Sequence, residues 1–294
     1  METANDAEEF ANEPLSILEE IKPLVQDPIL LPAEHANERV FPAIALTMII
    51  CTFVYNFSFS IAKRLIPKSR LHDRRRMCYQ FTNITTNTFL SLTGLYFEYV
   101  LLPKNATTRE KIQGQEDFYI FSSVQIGYQA WSLVVGTFLV GEKVEMLFHH
   151  VAVVCVGSMS GFLTNGFRYW TPYFFGIFEL SSVPLGIMNV FKENEAWIKS
   201  HPTLYTSIRI LFAISFLYVR VVMLMPRQFI YLRDCFLVPY LMDNEHIAFR
   251  IYLFMVWANS CFLSVLQMFW AYLIVNGIIL AFFQKKEIAK EKDQ

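Results

Sequence analysis

Runs of about 20 apolar residues recur along this chain, and that recurrence limits its fold more than any other feature. A run of that length crosses a hydrocarbon core of about 30 Å when it is helical. In lipid each backbone N–H and C=O has to find its partner within the protein, so such runs cross as helices. Seven runs read as spans, at about 40–62, 79–102, 118–140, 146–164, 168–190, 204–226 and 249–283. Composition agrees: 54% of the residues are hydrophobic and 17% are charged, an apolar excess over soluble domains. The expected fold class is all-α, a polytopic membrane helical bundle of about seven transmembrane helices. Residues 1–39 read as a mobile N-terminal tail, 40–283 as the bundle and 284–294 as a basic tail.

Charge orients the bundle. After the first run comes KRLIPKSRLHDRRR, with Lys63, Arg64, Lys68, Arg70, Arg74, Arg75 and Arg76 against a single acid, Asp73. Basic loops stay cytosolic, so the N-terminus is expected in the lumen. An odd number of spans then puts the C-terminal tail, with Lys285, Lys286, Lys290 and Lys292, in the cytosol as well. Segment 227–248 carries Arg233, Asp234 and Pro239 and reads as interfacial or re-entrant, not as a crossing. The acidic start lacks the basic-then-apolar pattern of a signal peptide, so the first run is expected to stay as a span. A net charge of −1, with basic residues confined to short loops, gives no reason to expect nucleic acid as a partner. The five cysteines form no CxxC or Cys/His zinc spacing, and no disulfide framework is read from them.

Ionisable groups inside apolar runs are costly and face a bundle interior or a cavity. The fourth run carries His149 and His150, the fifth Glu179 and the sixth Arg220. Neighbouring helical residues point about 100° apart, so the two histidines cannot face one pocket equally. Either can act as base, acid or nucleophile, or simply bond a carbonyl. His149, His150 and Glu179 are the candidate catalytic residues. Glu179 can pair with Arg220, and Ser182 lies one turn from it. Pro184 is expected to kink the fifth span beyond them. A metal site from His149, His150 and Glu179 lacks helical ligand spacing, so no metal or other cofactor is expected. Thr82, Asn83, Thr86 and Asn87 share one face of the second run, where such side chains bond between helices or line a cavity. Gly157 and Gly161, four apart, favour close helix packing.

The order of these features resembles the TLC-domain family, which includes ceramide synthases, the TRAM translocation factors and the neuronal ceroid-lipofuscinosis transmembrane protein. The features are the histidine pair opening one span, Glu179-Leu180-Ser181-Ser182-Val183-Pro184 in the next, a Phe-rich span from Phe216 to Arg220, and Gln267-Met268-Phe269-Trp270 in the last. The resemblance covers about 40–283. Two departures separate the chain from the ceramide synthases. They carry a further His-Asp and an Asp after their histidine pair, where this chain has only Glu179. Where the family often has an Asp after a Gly-Tyr segment, Gly127-Tyr128 is followed by Ser132.

The resemblance therefore implies the non-synthase branch, an endoplasmic-reticulum protein that binds or senses lipid and influences membrane lipid composition. His149, Glu179, Ser182 and Arg220 would hold the head group, and Phe residues would line the chain. Membrane lipids are the expected partners, with a homo-oligomer also open. One alternative is an N-acyltransferase of the ceramide-synthase kind, with acyl-CoA as co-substrate. Another is a cargo receptor cycling between endoplasmic reticulum and Golgi. The last five residues, Lys290-Glu291-Lys292-Asp293-Gln294, resemble the dilysine signal read by coat proteins. Replacing Lys290 and Lys292 with Ser is expected to move the protein, seen by fluorescence microscopy, from the endoplasmic reticulum to later compartments. An unchanged distribution contradicts the signal.

Overall fold

A helix within lipid closes its own backbone hydrogen bonds, so local sequence decides mainly where each helix begins, ends or breaks. The computed structural model describes residues 36–66, 70–113, 115–164, 166–241 and 247–292, and among these it contains helices and connections but no strand. The chain is an all-α polytopic bundle. The long helices are α1 (Phe41–Leu65), α2 (Leu71–Tyr96), α4 (Tyr119–Val135) and α5 (Val144–Ser158). They are followed by α7 (Ser182–Lys192), α9 (Pro202–Leu217), α10 (Leu224–Leu241) and α11 (Ile247–Lys292). Three short helices sit in the connections: α3 (Thr108–Gln113), α6 (Thr171–Phe174) and α8 (Glu195–Ser200).

Five stretches of the described residues are both long and apolar enough to cross a membrane: Ala36–Arg64, Val144–Leu163, Arg168–Lys192, Pro202–Val238 and Arg250–Leu280. The helices α2 and α4, each lengthened by a wider turn (Phe97–Leu101 and Gly136–Val140), complete the bundle. They are diluted by polar residues such as Asn83, Asn87, Gln125 and Gln129. About half of Val144–Leu163 and of Arg168–Lys192 is buried, against 11% of Arg250–Leu280. The fourth and fifth passes, together with the largely buried α4, therefore form the interior of the bundle, and the last helix is the least buried of the five stretches.

Long-range bonds define the two ends. At one, Arg70 Nη2 donates to the Glu193 carbonyl (2.9 Å) and Arg76 Nε to that of Val140 (3.5 Å). These bonds gather the 63–76, 140–143 and 191–201 connections into a basic end. At the other, the Phe167 N–H donates to the Ile112 carbonyl (2.6 Å), and Arg227 pairs with Glu98 at 3.1 Å.

Several expected boundaries shift. The first span is helical from Ala36, through a widened turn Ala36–Val40, and the rest of the 1–39 tail lies outside the described residues. The second begins at Leu71, inside the basic connection. Segment 227–248 is largely the helix α10, packed on α11. Arg233, which had argued against a crossing there, donates to its neighbour Asp234 at 2.8 Å, while Tyr231, Cys235 and Val238 are buried. The last helix is single and long, as read, and its backbone stays helical to Lys292. The side chains of Lys290 and Lys292 lie outside the described residues.

The fifth span is broken, though not by Pro184. It proceeds through α6, an irregular Phe175–Gly176 step and a tighter turn Ile177–Ser181 before α7. Pro184 sits in the first turn of α7, where its missing N–H costs nothing. The break belongs to Gly176, which lies against Gly94 of α2. A Cβ added at Gly94 would stand 2.6 Å from the Gly176 Cα. Backbone atoms cannot yield to it. Gly157 and Gly161 admit Ile126 of α4 at 2.9 and 3.1 Å by the same measure, which is the packing role read for them.

Gly94→Ala is therefore expected to destabilise the protein by about 1–3 kcal/mol, the usual cost of overpacking. Gly277→Ala meets nothing within 4 Å and is expected to be neutral. Thermal unfolding in detergent compares them, and equal melting temperatures contradict the contact.

Candidate functional site

Breaking the fifth span at Gly176 sets Glu179 in a tight turn with Ser181 and Ser182 beside it, all at membrane depth. Arg220 faces this turn from the wide turn Tyr218–Val222 that ends α9. Its guanidinium donates from Nε to Ser181 Oγ (2.7 Å) and from Nη2 to Ser182 Oγ (2.7 Å) and Glu179 Oε2 (3.5 Å). From Nη1 it donates to Gln267 Oε1 (3.2 Å). Ser182 Oγ in turn donates to Glu179 Oε2 (2.6 Å), and Gln125 Nε2 to Glu179 Oε1 (3.0 Å). Phe178 and Phe216 flank the guanidinium, with ring centroids at 4.3 and 5.4 Å. Helices α4, α9 and α11 and the broken span thus meet at one neutralised ion pair. Glu179 and Arg220 are buried, at 7% and 6% exposure, and the network supplies the bonds that water would otherwise make.

The two histidines part as their angular separation requires. His150 is buried within a second cluster. Its Nδ1 makes a short bond to Gln129 Oε1, and its Nε2 lies 2.9 Å from Glu142 Oε2. The Tyr79 hydroxyl also donates to Glu142 Oε2 (3.0 Å). Both ring nitrogens are thus engaged by neighbouring side chains. Glu142 reaches inward from the 141–143 connection because Gly141 turns the chain with φ +66°. His149 is different. Its ring meets the edge of Trp270 (centroids 5.6 Å apart), and its buried Nδ1 has no hydrogen-bond partner among the described residues.

Two chambers flank this centre. The larger, about 390 Å³ and the more polar of the two, sets Asn83, Asn87, Gln129, His150, Ser182 and Arg220 among apolar side chains such as Met146, Phe212, Phe216 and Leu273. The smaller, about 80 Å³, is mainly apolar, with Val153, Val156, Phe174, Phe178, Tyr231 and Leu263 in its wall. His149 and Glu179 belong to both. Chemically, the arrangement offers hydrogen bonds on one side of these two residues and a slot for hydrocarbon on the other. Among the described residues no group of three or more His, Cys, Asp or Glu side chains could hold a metal ion.

Six residues of the centre were not among those expected: Tyr79, Gln125, Gln129, Glu142, Ser181 and Gln267. Gln125 and Gln129, four apart inside an apolar run, carried the same signal as Asn83 and Asn87. Glu142 carried none, because its inward reach depends on the turn at Gly141. Asn83 and Asn87 face the polar chamber, while Thr82 bonds the Cys78 carbonyl of its own helix (3.1 Å) and Thr86 contacts Cys51 of α1 (3.7 Å).

Arg220→Met strands the Glu179 carboxylate, so a loss of about 3–5 kcal/mol is expected. Adding Glu179→Gln to Arg220→Met is expected to recover part of it. Urea unfolding of the single and double variants checks this, and purely additive losses contradict the pairing.

No curated relative and no solved structure matches the chain. The family described as TLC domain (TRAM_LAG1_CLN8) matches residues 76–276, more than half of the 294, and those residues hold both clusters and both chambers. With its helical membrane bundle, a polar centre on the broken fifth pass and this match, the chain belongs to the TLC-domain family.

Proposed function

We propose that the protein binds one lipid molecule across the two chambers and through it senses or alters membrane lipid composition. The observation that carries this reading is the shared wall: His149 and Glu179 each border a chamber holding most of the polar groups and a second, more apolar one. An amphiphile has the same division. Its head would bond to groups such as Asn83, Asn87 and Ser182, and its chain would lie along Phe174, Phe178 and Tyr231. Arg220 holds Glu179 in place, and the head meets them as a neutral, rigid, hydrogen-bonding surface. Membership of a family of membrane lipid-related proteins supports the same direction.

The proposed location is the endoplasmic reticulum, with the N-terminus in the lumen and the basic end and C-terminal tail in the cytosol. The basic connections and the dilysine-like ending, a candidate ligand for coat proteins, support it.

A second reading is favoured by one observation, the Nδ1 of His149, which stands beside both chambers without a hydrogen-bond partner among the described residues. In an N-acyltransferase this imidazole would accept an acyl group from a thioester, releasing the thiol, and pass it to an amine to form an amide. His150 is already engaged by Gln129 and Glu142, so His149 takes that role here. Purified protein given acyl-CoA and a long-chain base would then form an amide, and His149→Ala would abolish it. No product from the wild type removes this second reading.

Val156 lies in the apolar chamber and is buried. Val156→Phe is expected to lower the amount of specifically co-purified lipid by roughly tenfold, the effect of about 1.4 kcal/mol. Mass spectrometry of washed, purified protein measures it. Equal lipid in both proteins, or none in the wild type, contradicts the lipid reading.

A further inference from the structure

The interior of the polar chamber is answered from within, since Arg220 pairs with Glu179 while His150 and Tyr79 bond Glu142. Its mouth at the basic end is not. Three helices line the chamber near that end with Met146 of α5, Asn189 of α7 and Phe212 of α9. Each carries a cation three residues further out, namely Lys143, Lys192 and Arg209. Three residues is about one helical turn, so Lys192 and Arg209 lie on roughly the same face as Asn189 and Phe212 and about 4.5 Å closer to water, while Lys143 stands in extended backbone just before α5 at the same end.

The three charges converge. Lys143 and Arg209 are close enough to Lys192 for their charges to repel its own. All three side chains are exposed. None has a carboxylate within ion-pair distance among the described residues. Lys192 Nζ reaches only Asn189 Oδ1 (3.5 Å), which leads into the chamber, and the Arg209 guanidinium lies 5.9 Å from the Tyr205 ring centroid. Glu193 is the acid nearest Lys192, but it also faces Arg70, Arg76 and His72. Glu142 is turned inward to His150.

Holding like charges together at the opening of a cavity is unfavourable unless an anion joins them. A carboxylate brings one charge. A phosphate brings up to two, with several acceptor oxygens for donors arriving from three directions.

We infer that Lys143, Lys192 and Arg209 form a phosphate-recognising rim, and that the ligand is a single-chain amphiphile with its phosphate at this mouth. The inference rests on the lipid reading of the chambers. A single chain is chosen because the apolar chamber is the smaller of the two, about 80 Å³ against about 390 Å³. The phosphate can belong to a lysophospholipid head or to the nucleotide end of an acyl thioester.

The test uses the full chain in neutral detergent with three ligands of one acyl chain: oleoyl lysophosphatidic acid, its uncharged counterpart monoolein, and oleoyl-CoA. Binding is followed by Trp fluorescence, since Trp170 lines the apolar chamber and Trp270 the polar one. The wild type is expected to bind at least one phosphate-bearing ligand about tenfold or more tighter than monoolein, an advantage that shrinks with added salt. Whichever phosphate ligand binds tighter identifies the source. The exposed triple variant Lys143→Gln, Lys192→Gln, Arg209→Gln is expected to bring the three affinities together and leave monoolein unchanged. Equal affinities in the wild type, or a preference surviving in the triple variant, overturn the rim while leaving the chambers intact. Binding of none of the three overturns the chamber reading, and the rim falls with it.

Discussion

The bundle depends on how one guanidinium is satisfied away from water. Arg220 cannot shed its charge, so it has to be met by enough acceptors to repay its dehydration. It finds them on the broken fifth span and on the last helix: Ser181, Ser182, Glu179 and Gln267. That demand explains the irregular backbone at membrane depth. A regular helix through residues 171–192 would keep Ser182 beside Glu179 but turn Ser181 to nearly the opposite side. The tight turn after Gly176 brings them to one side. The Gly94–Gly176 contact is what lets the chain bend there, because no side chain stands between the two backbones.

A network that satisfies itself could have been only structural glue. Its position argues for more. Glu179 and Arg220 do not close the space between the helices but border it, and His149 stands beside them with a ring nitrogen that no described protein group uses. His150 supplies the contrast, tied by Gln129 and Glu142 within the same chamber wall. Two adjacent histidines therefore have different surroundings: His150 bonds Gln129 and Glu142, while His149 Nδ1 has no hydrogen-bond partner among the described residues.

Much of this was legible in the sequence. Hydropathy located the helices, since burying a run of apolar residues in lipid leaves few alternatives, and charge bunching located the basic end. The pairing of Glu179 with Arg220 followed from the cost of leaving either alone. What escaped the sequence depended on backbone geometry. The break at Gly176 was hidden because Pro184 looked the stronger breaker, yet a proline in a first helical turn is harmless. That segment 227–248 is largely helical was not read, because Arg233 and Asp234 were weighed singly, when they bond each other at 2.8 Å. Glu142 gave no sign at all, as its place in the site comes from the left-handed turn at Gly141.

Photo-crosslinking addresses the central claim most directly. A lipid carrying a diazirine near the end of its chain, bound to the purified protein and mapped by peptide mass spectrometry, is predicted to label residues of the apolar chamber such as Phe174, Tyr231 and Leu263. Moving the diazirine next to the head should shift the label to Met146 and Asn189. Labelling confined to lipid-facing residues such as Phe53, Phe138 and Phe229, whichever end carries the diazirine, would contradict the account.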